Sequence, residues 1–258
     1  MTTLLAGLAL VVLASTPVAP EVAKKLDEAE QQCVKKGTGP ECLLIAASYS
    51  TGDGRTADPT KAADFAEKAC KAKSGKGCVM VAAAFTNGNG RPQDEAKAAA
   101  MFEKACTLKE GLGCVSVALK LAGPDGKPED VKKAAPFFQK ACDLKEGSGC
   151  FMMGLTYQDG RGLAADPKKA LEFFSRACEL KDAGGCTNLG GMYFEKADNA
   201  KGLEALGKAC ALDSPNGCGM LGLTYLQGKV VPKDEVKGKA HLTRACTLGF
   251  TPACQMIK

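Results

Sequence analysis

The sequence has no tryptophan, only four tyrosines and one histidine in 258 residues, and its 34 Lys and Arg residues form no dense cluster. The basic patch with interleaved aromatic rings that is typical of nucleic-acid-binding proteins is therefore missing, and we expect no nucleic-acid partner. A single histidine also excludes the multi-histidine ligand sets of many metal enzymes. The net charge of +5 is mild, and no low-complexity linker divides the chain. We predict a folded protein without a metal or another cofactor.

The first residues differ in character from the rest of the chain. Residues 4–15 are an apolar run that is too short to span a bilayer comfortably, and the sequence TPVAP follows it. This pattern predicts a signal peptide over residues 1–19, which leaves residues 20–258 as a mature chain with no stable membrane span. No Lys or Arg precedes the apolar run, so a retained anchor is the alternative.

The chain has 14 cysteines, and they form seven pairs whose partners are eight residues apart, or nine in the first pair. An oxidising compartment explains such regular pairing, and we predict seven local disulfides in a secreted or periplasmic protein. Zinc is the competing use of paired cysteines, but the C-x2-C spacing of zinc sites is absent. The predicted disulfides are Cys33–Cys42, Cys70–Cys78, Cys106–Cys114, Cys142–Cys150, Cys178–Cys186, Cys210–Cys218 and Cys246–Cys254.

The first cysteines of successive pairs advance by 37, 36, 36, 36, 32 and 36 residues, which indicates a stacked repeat. An acidic residue precedes each first cysteine by twelve positions, and in six of the seven units it is Asp, a preferred helix N-cap. We predict that a first helix, the A-helix, begins after this residue, and positions in each unit are numbered from it. The predicted units start near Glu21, Asp58, Asp94, Asp130, Asp166, Asp198 and Asp234.

Along the A-helix, positions +4, +8 and +11 form a ridge with a large ring between two small residues, as in Ala134, Phe138 and Ala141. Gly or Pro residues after the first cysteine are expected to end this helix and turn the chain. A second helix, the B-helix, is predicted to start at the second cysteine and to carry a small residue four positions later. Each disulfide then joins two antiparallel helices that could not bury a full core alone. The pattern predicts an all-α array of about seven disulfide-stapled helix–turn–helix units.

A 36-residue unit with C-x7-C, the motif KAC-LK---GC and a later DG-G resembles the Sel-1-like repeat, in the disulfide-containing form of the Helicobacter cysteine-rich protein family. The resemblance covers about residues 21–258. It implies a right-handed α-solenoid related to tetratricopeptide arrays, with a concave surface that can hold a protein or peptide. Members of that family are described as penicillin-binding proteins with weak β-lactamase activity, which implies β-lactams or cell-wall peptides as ligands. A distant relative, a mitochondrial intermembrane-space assembly factor, gives a second alternative.

No catalytic residues can be identified from the sequence. The S-x-x-K, S-D-N and K-T-G motifs of serine β-lactamases are all absent. His241 occupies position +7 of its A-helix, so a packing role is predicted for it. Among the residues at this position in other units are Phe65, Met101, Phe137 and Phe173. We therefore predict a scaffold that binds proteins or peptides, and β-lactam hydrolysis is an alternative that rests on the resemblance alone.

Position +3 of the A-helix is Lys in all seven units, and position +10 is Lys or Arg in six. Residues seven apart share one face of a helix, so stacked units form two parallel basic rows. These rows are either solvated faces, with the +10 charges near the helix C-terminus, or a surface for acidic peptides and other carboxylates. The central residues of this predicted ligand surface are Lys97, Lys104, Lys133, Lys140, Lys169 and Arg176.

Overall fold

The computed structural model describes residues 20–257, so the predicted signal peptide at 1–19 lies outside the described residues. All regular structure in this range is α-helical. None of these helices is both long and apolar enough to cross a membrane. Odd-numbered helices are the A-helices and even-numbered helices the B-helices. They are α1 (Pro20–Lys36), α2 (Gly39–Thr51), α3 (Pro59–Lys71), α4 (Gly75–Asn87), α5 (Glu95–Thr107), α6 (Gly111–Ala122), α7 (Pro128–Asp143), α8 (Gly147–Asp159), α9 (Pro167–Glu179), α10 (Ala183–Glu195), α11 (Asn199–Ala211), α12 (Pro215–Gln227), α13 (Glu235–Thr247) and α14 (Thr251–Met256).

The helices pack in chain order, each against the helices before and after it. Successive B-helices from α2 to α12 also contact one another, whereas among the A-helices only α9 and α11 do so to a similar extent. Helices on the inside of a curved array lie closer together than those on the outside, so the B-helices line the inner face. The predicted all-α solenoid is confirmed.

The N-caps of the A-helices follow the prediction in five units. The five aspartates that each accept a hydrogen bond from a first-turn amide are Asp58, Asp94, Asp166, Asp198 and Asp234. The prediction for Asp130 is wrong, because α7 begins at Pro128 and its N-cap is Lys127. Proline suits the first helical position, which explains the earlier start. Asp130 instead pairs with Lys133 at 2.9 Å within the first turn, and Glu21 likewise lies inside α1.

Replacing Asp166 with Ala should lower the free energy of unfolding by about 1 kcal/mol, because the amides of Lys168 and Lys169 lose their acceptor. Asp130→Ala is the matched control. It should leave the unfolding midpoint nearly unchanged, since only a largely exposed ion pair is lost. Urea denaturation of the two variants measures both effects, and equal losses would contradict this assignment of the caps.

After most A-helices the residue with a left-handed backbone conformation is not glycine, contrary to the prediction. In four central units the left-handed backbone position, with φ between +62° and +66°, is occupied by Lys73, Lys109, Lys145 or Lys181. Glycine takes this position only near the ends of the array, at Gly37 and Gly249. A left-handed conformation costs a non-glycine residue roughly 1–2 kcal/mol, so glycine would be the expected choice throughout.

The glycines of the turn belong instead to the first turn of the B-helix. The B-helix starts three residues before the second cysteine rather than at it, as at Gly147 before Cys150, so the predicted start is wrong. Gly149 shows why glycine is needed there: a Cβ on it would lie 2.5 Å from the Cβ of Ala141 on the A-helix. The two helices therefore cross with almost no side chain between their backbones.

All seven predicted disulfides are formed, with Cα–Cα distances of 4.4 to 4.9 Å. They lie in a core that consists mainly of Ala and Cys side chains. Phe138 and Phe174, the large rings of the predicted ridge, are fully buried as expected. Phe102, the equivalent ring in the third unit, is only partly buried and lines an open cleft.

Candidate functional site

The B-helices carry few charged residues on any side. Each B-helix from α2 to α12 has at most one, whereas the A-helix α3 has five. The side of a B-helix that faces away from the core is formed by positions two before, two after and five after the second cysteine. In α6 these residues are Leu112, Ser116 and Leu119, and the two leucines are 47% and 50% exposed. Apolar side chains left in contact with water along one face indicate an interaction surface.

Between neighbouring B-helices the inner face has clefts whose floors are formed by the A-helix of the same unit. Three clefts follow one another: about 200 Å³ between α2 and α4, about 510 Å³ between α4 and α6, and about 210 Å³ between α6 and α8. The largest, here named the central cleft, is within the range of roughly 300–1,000 Å³ typical of ligand pockets. Its apolar lining consists of Ala98, Ala99, Phe102, Val117 and Leu121.

The central cleft is open because of the loop that follows α6. In the preceding unit the equivalent loop lies on its own A-helix, so that a Cβ on Gly90 would meet the carbonyl oxygen of Pro59 at 2.1 Å. The loop at 123–127 is two residues shorter, since α7 starts early. Among the described residues nothing approaches the Cβ position of Gly123 within 4 Å, and Gly126 faces the following loop. The N-terminal half of α5 is therefore left uncovered.

The polar groups at the rim of the central cleft suit binding better than catalysis. The hydroxyl of Thr86 donates a hydrogen bond to the carbonyl of Ala82 at 3.0 Å, and that of Ser116 donates to the carbonyl of Leu112 at 2.9 Å. A serine nucleophile needs a base that takes its proton, and here the proton is directed to the main chain. Within residues 20–257, no group of three His, Cys, Asp or Glu side chains could hold a metal ion.

Two of the three predicted ligand residues at position +3 lie beside aromatic rings, and the third, Lys133, pairs with Asp130. The Nζ of Lys169 lies 5.0 Å from the ring centre of Tyr157 on the preceding B-helix, and that of Lys97 lies 5.5 Å from the ring centre of Phe85. Lys97 also pairs with its own N-cap, Asp94, at 3.1 Å. These cation–π contacts connect an A-helix to the B-helix before it and engage the charges that the row would present to a ligand.

At position +10 the basic residues have mixed surroundings. Arg176 donates hydrogen bonds to the Asp143 carboxylate at 3.2 Å and to the carbonyl of Cys142 at 3.3 Å, both in the preceding unit. Lys104 and Lys140 make no ion pair within residues 20–257. The structure therefore does not bring the six predicted residues together as one unpaired surface, and their role in ligand binding stays a prediction.

His241 lies face to face with Tyr225, with ring centres 5.9 Å apart and planes inclined by 12°. Tyr157 and Phe173 form the same stack two units earlier, at 5.6 Å and 15°. Burial, and then the positive charge of Arg244, lower the pKa of His241 below its usual value. The imidazole is therefore neutral near pH 7 and replaces a phenylalanine ring in a repeated stack.

The predicted ligand residues include none that line the central cleft. One feature of the sequence could have indicated it: Pro128 stands two residues before Asp130 and allows α7 to begin early, which shortens the loop after α6. The sequence keeps its 36-residue period at this place, so the shorter loop becomes visible only in the structure.

The family model of the Sel1 repeat matches five segments, residues 42–74, 75–109, 112–146, 147–182 and 215–250, which together are more than half of the chain. The chain belongs to the Sel1 repeat family. With the seven bridges, this match confirms the predicted resemblance to disulfide-containing Sel1-like repeat proteins. The β-lactamase activity that the resemblance implies stays a prediction. No curated protein matches the chain.

Each matched Sel1 repeat consists of a B-helix and the A-helix that follows it, so that residues 75–109 hold α4 and α5. The boundary between repeats at 74/75 falls between Cys70 and Cys78, and this disulfide therefore joins two consecutive Sel1 repeats. The pair α10 and α11 is not matched. It is the pair joined by the shortest loop, at 196–198, where the cysteine period falls to 32 residues.

Solved structures of other proteins share this architecture. A Sel1 repeat protein from Oxalobacter formigenes is 21% identical with a TM-score of 0.77, over 87% of this chain and 95% of that chain. The protective antigen c5321 of uropathogenic Escherichia coli is 22% identical with a TM-score of 0.75, over 91% of this chain and 50% of that chain, so this chain spans half of its length. These two likenesses show the fold alone. Helicobacter pylori cysteine rich protein B is 27% identical over 64% of this chain and 95% of that chain, with a TM-score of 0.27.

Proposed function

We propose that this Sel1 repeat protein is an exported scaffold that binds an extended peptide or protein segment along the inner face of its B-helices. The observation that carries the proposal is the series of three clefts between B-helices that each carry at most one charged residue. Seven disulfides indicate an oxidising compartment outside the cytoplasm. We further propose that residues 1–19 direct export to the periplasm or the exterior and that residues 20–258 are the mature solenoid.

The spacing of the clefts supports an extended ligand. Packed helices lie roughly 8–10 Å apart, and successive B-helices are in contact. A segment in the polyproline II conformation rises about 3.1 Å per residue with three residues per turn, so its side chains three residues apart lie on one face and are separated by about the same distance. Three clefts in series thus fit a segment with apolar or partly apolar side chains at every third position.

Selection from a phage-displayed library of random dodecapeptides tests this proposal. Binders are expected to be enriched in side chains with apolar portions spaced three residues apart. Leu119→Glu, which places a carboxylate between the second and third clefts, should weaken a selected peptide at least tenfold, because the charge would have to be desolvated on binding. Fluorescence anisotropy of the labelled peptide measures the dissociation constant.

Val236→Glu is the matched control for Leu119→Glu. Val236 is 81% exposed on the A-helix α13, so the same change in charge falls outside the inner face. The control should bind the peptide as the parent chain does. If both variants bind with unchanged affinity, or if the library yields no enriched peptide, the inner face is not the binding surface that we propose.

A further inference from the structure

In the first unit, the side chain of one arginine, Arg55, is held by other residues of the same unit. Asp27 and Glu30 lie at positions +6 and +9 of α1, and Arg55 reaches them from the loop that follows α2. The Arg55 side chain is only 13% exposed, and its guanidinium lies 4.5 Å from the ring centre of Tyr49. A loop arginine is thus held by an acidic pair on the A-helix and by an aromatic ring.

The second unit repeats this arrangement at the equivalent positions. Asp64 and Glu67 are at +6 and +9 of α3, and Nη2 of Arg91 lies 2.6 Å from the Asp64 carboxylate and 3.2 Å from that of Glu67. The pKa of Glu67 is lowered, first by the hydrogen bond from Lys71 and also by the charge of Arg91. The Arg91 side chain is 25% exposed.

The third unit keeps part of the acidic site and has lost the arginine. Glu103 is at position +9 of α5, and Ala100 stands at +6. The loop residue equivalent to Arg91 is Lys127, which is the N-cap of α7 and makes no ion pair with any described residue, and this loop turns away from α5. Glu103 and Glu95 both line the central cleft, and neither makes an ion pair with any described residue. The cleft therefore has the Glu103 carboxylate at the place where the two preceding units hold a guanidinium, and its lining of Glu95, Glu103 and Lys120 carries one net negative charge.

We infer that the central cleft receives an arginine side chain of the bound segment, which takes the place that Arg55 and Arg91 occupy in the first two units. This inference rests on the proposed function and assigns it a ligand chemistry. The guanidinium pairs with Glu103, and its methylene groups lie against Phe102 and the other apolar residues of the cleft.

Arginine fits this site better than lysine for two reasons. The guanidinium presents a planar fork of donors that matches a carboxylate, and it is more weakly hydrated than an ammonium group, so it loses less on entering a partly apolar cleft. The hydroxyl oxygens of Thr86 and Ser116, whose protons are directed to their own helix, remain available only as acceptors. Glu95 lies eight residues from Glu103, about 12 Å along the helix, and adds attraction for a cationic segment.

The test uses the amidated, fluorescein-labelled peptide Leu-Ala-Ala-Arg-Ala-Ala-Leu and a second peptide in which citrulline replaces arginine. Citrulline has nearly the same shape and no charge. Fluorescence anisotropy with the full oxidised chain should show at least tenfold tighter binding of the arginine peptide. Glu103→Gln should remove most of this preference. Ala100→Asp, which restores the +6/+9 acidic pair of the first two units, should increase it severalfold.

Glu172→Gln is the matched control, because Glu172 is an exposed carboxylate of α9 that does not line the cleft. It should leave the preference unchanged. Equal binding of the two peptides to the parent chain, or a preference that survives Glu103→Gln, would overturn the inference. Peptide binding that Leu119→Glu weakens and Glu103→Gln does not would also overturn it, while the proposed function would stand. Self-association of the chain that Glu103→Gln abolishes would overturn it as well, since the arginine would then come from a second copy.

Discussion

Reduction of all seven disulfides should unfold the chain at room temperature and remove most of its helical signal in far-ultraviolet circular dichroism. In the chain-entropy account, a bridge between cysteines eight residues apart stabilises the folded state by roughly 2.5 kcal/mol. Seven such contributions exceed the roughly 5–15 kcal/mol by which folded domains are usually stable, even when they add only in part. The reduced chain is therefore expected to lie on the unfolded side of the transition.

The composition of the core explains why the bridges are so important. Most fully buried side chains in residues 20–257 are Ala or Cys, and the large ones among them are Phe138, Phe174, Ile45, Leu206 and Leu242. Burial stabilises in proportion to the apolar area removed from water, and alanine contributes little area. Across the turn from an A-helix to a B-helix the packing is almost backbone against backbone, so the disulfide is the main link there.

Two double variants separate the local effect of a bridge from the effect of complete reduction. Cys142→Ala with Cys150→Ala removes a central bridge and should lower the unfolding midpoint strongly, because the units on both sides depend on it. Cys246→Ala with Cys254→Ala removes the last bridge and should mainly release the short helix α14. A reduced and alkylated chain that kept its helical signal and its thermal midpoint would contradict the expectation.

The disulfide pairing and the order of the helices could be predicted because the sequence repeats seven times, and a pattern seen seven times is recognisable despite local exceptions. The exceptions themselves were not predictable. Two competing preferences explain the error at Asp130: an Asp N-cap was available, and Pro128 two residues earlier was equally suited to begin a helix. The early start of α7 shortens the loop before it, and this local change opens the central cleft.

The turns show the same limit of local rules. Glycine favours a left-handed helix end, and the turn sequences contain glycine, so the rule assigned it to that role. In the structure the contact between helices makes a stronger demand, and glycine is used where a Cβ would collide with the neighbouring helix. Lys109 then takes the left-handed position, with φ of +62°. Which of two local demands prevails depends on the distance between helices, which a single unit of sequence does not contain.

Gly149→Ala should destabilise the chain by about 2–3 kcal/mol, although alanine favours helices over glycine by up to about 1 kcal/mol. The added methyl group would lie 2.5 Å from the Cβ of Ala141 and 2.8 Å from the backbone nitrogen of Cys142. Neither atom belongs to a flexible side chain, so the two helices would have to separate. Cys150, the next residue, is bonded to Cys142 and opposes that separation.

Gly207→Ala is the matched control for Gly149→Ala. Gly207 is also helical, in α11, and nothing among the described residues lies within 4 Å of its Cβ position. This variant should gain about 0.5–1 kcal/mol, because only the helical preference changes. Urea unfolding of both variants under oxidising conditions gives the comparison, and a neutral or stabilising Gly149→Ala would show that the helices separate easily.

The first and last units show how far an A-helix and its B-helix must move apart when the residue before the second cysteine has a Cβ. At the position before the second cysteine, the first unit has Glu41 and the last has Ala253, so both accommodate a Cβ there. Their cysteine Cα atoms are 4.9 and 4.7 Å apart, against 4.4–4.5 Å in the five units with glycine. An end unit packs against a neighbour on one side only and can widen by a few tenths of an ångström.

A central unit such as that of Gly149 is held from both sides, and the same widening would disturb the contacts of α7 and α8 with α6 and α9. The cost of the methyl group should therefore be largest in the middle of the array, and Gly217→Ala, nearer the end, should be less destabilising than Gly149→Ala.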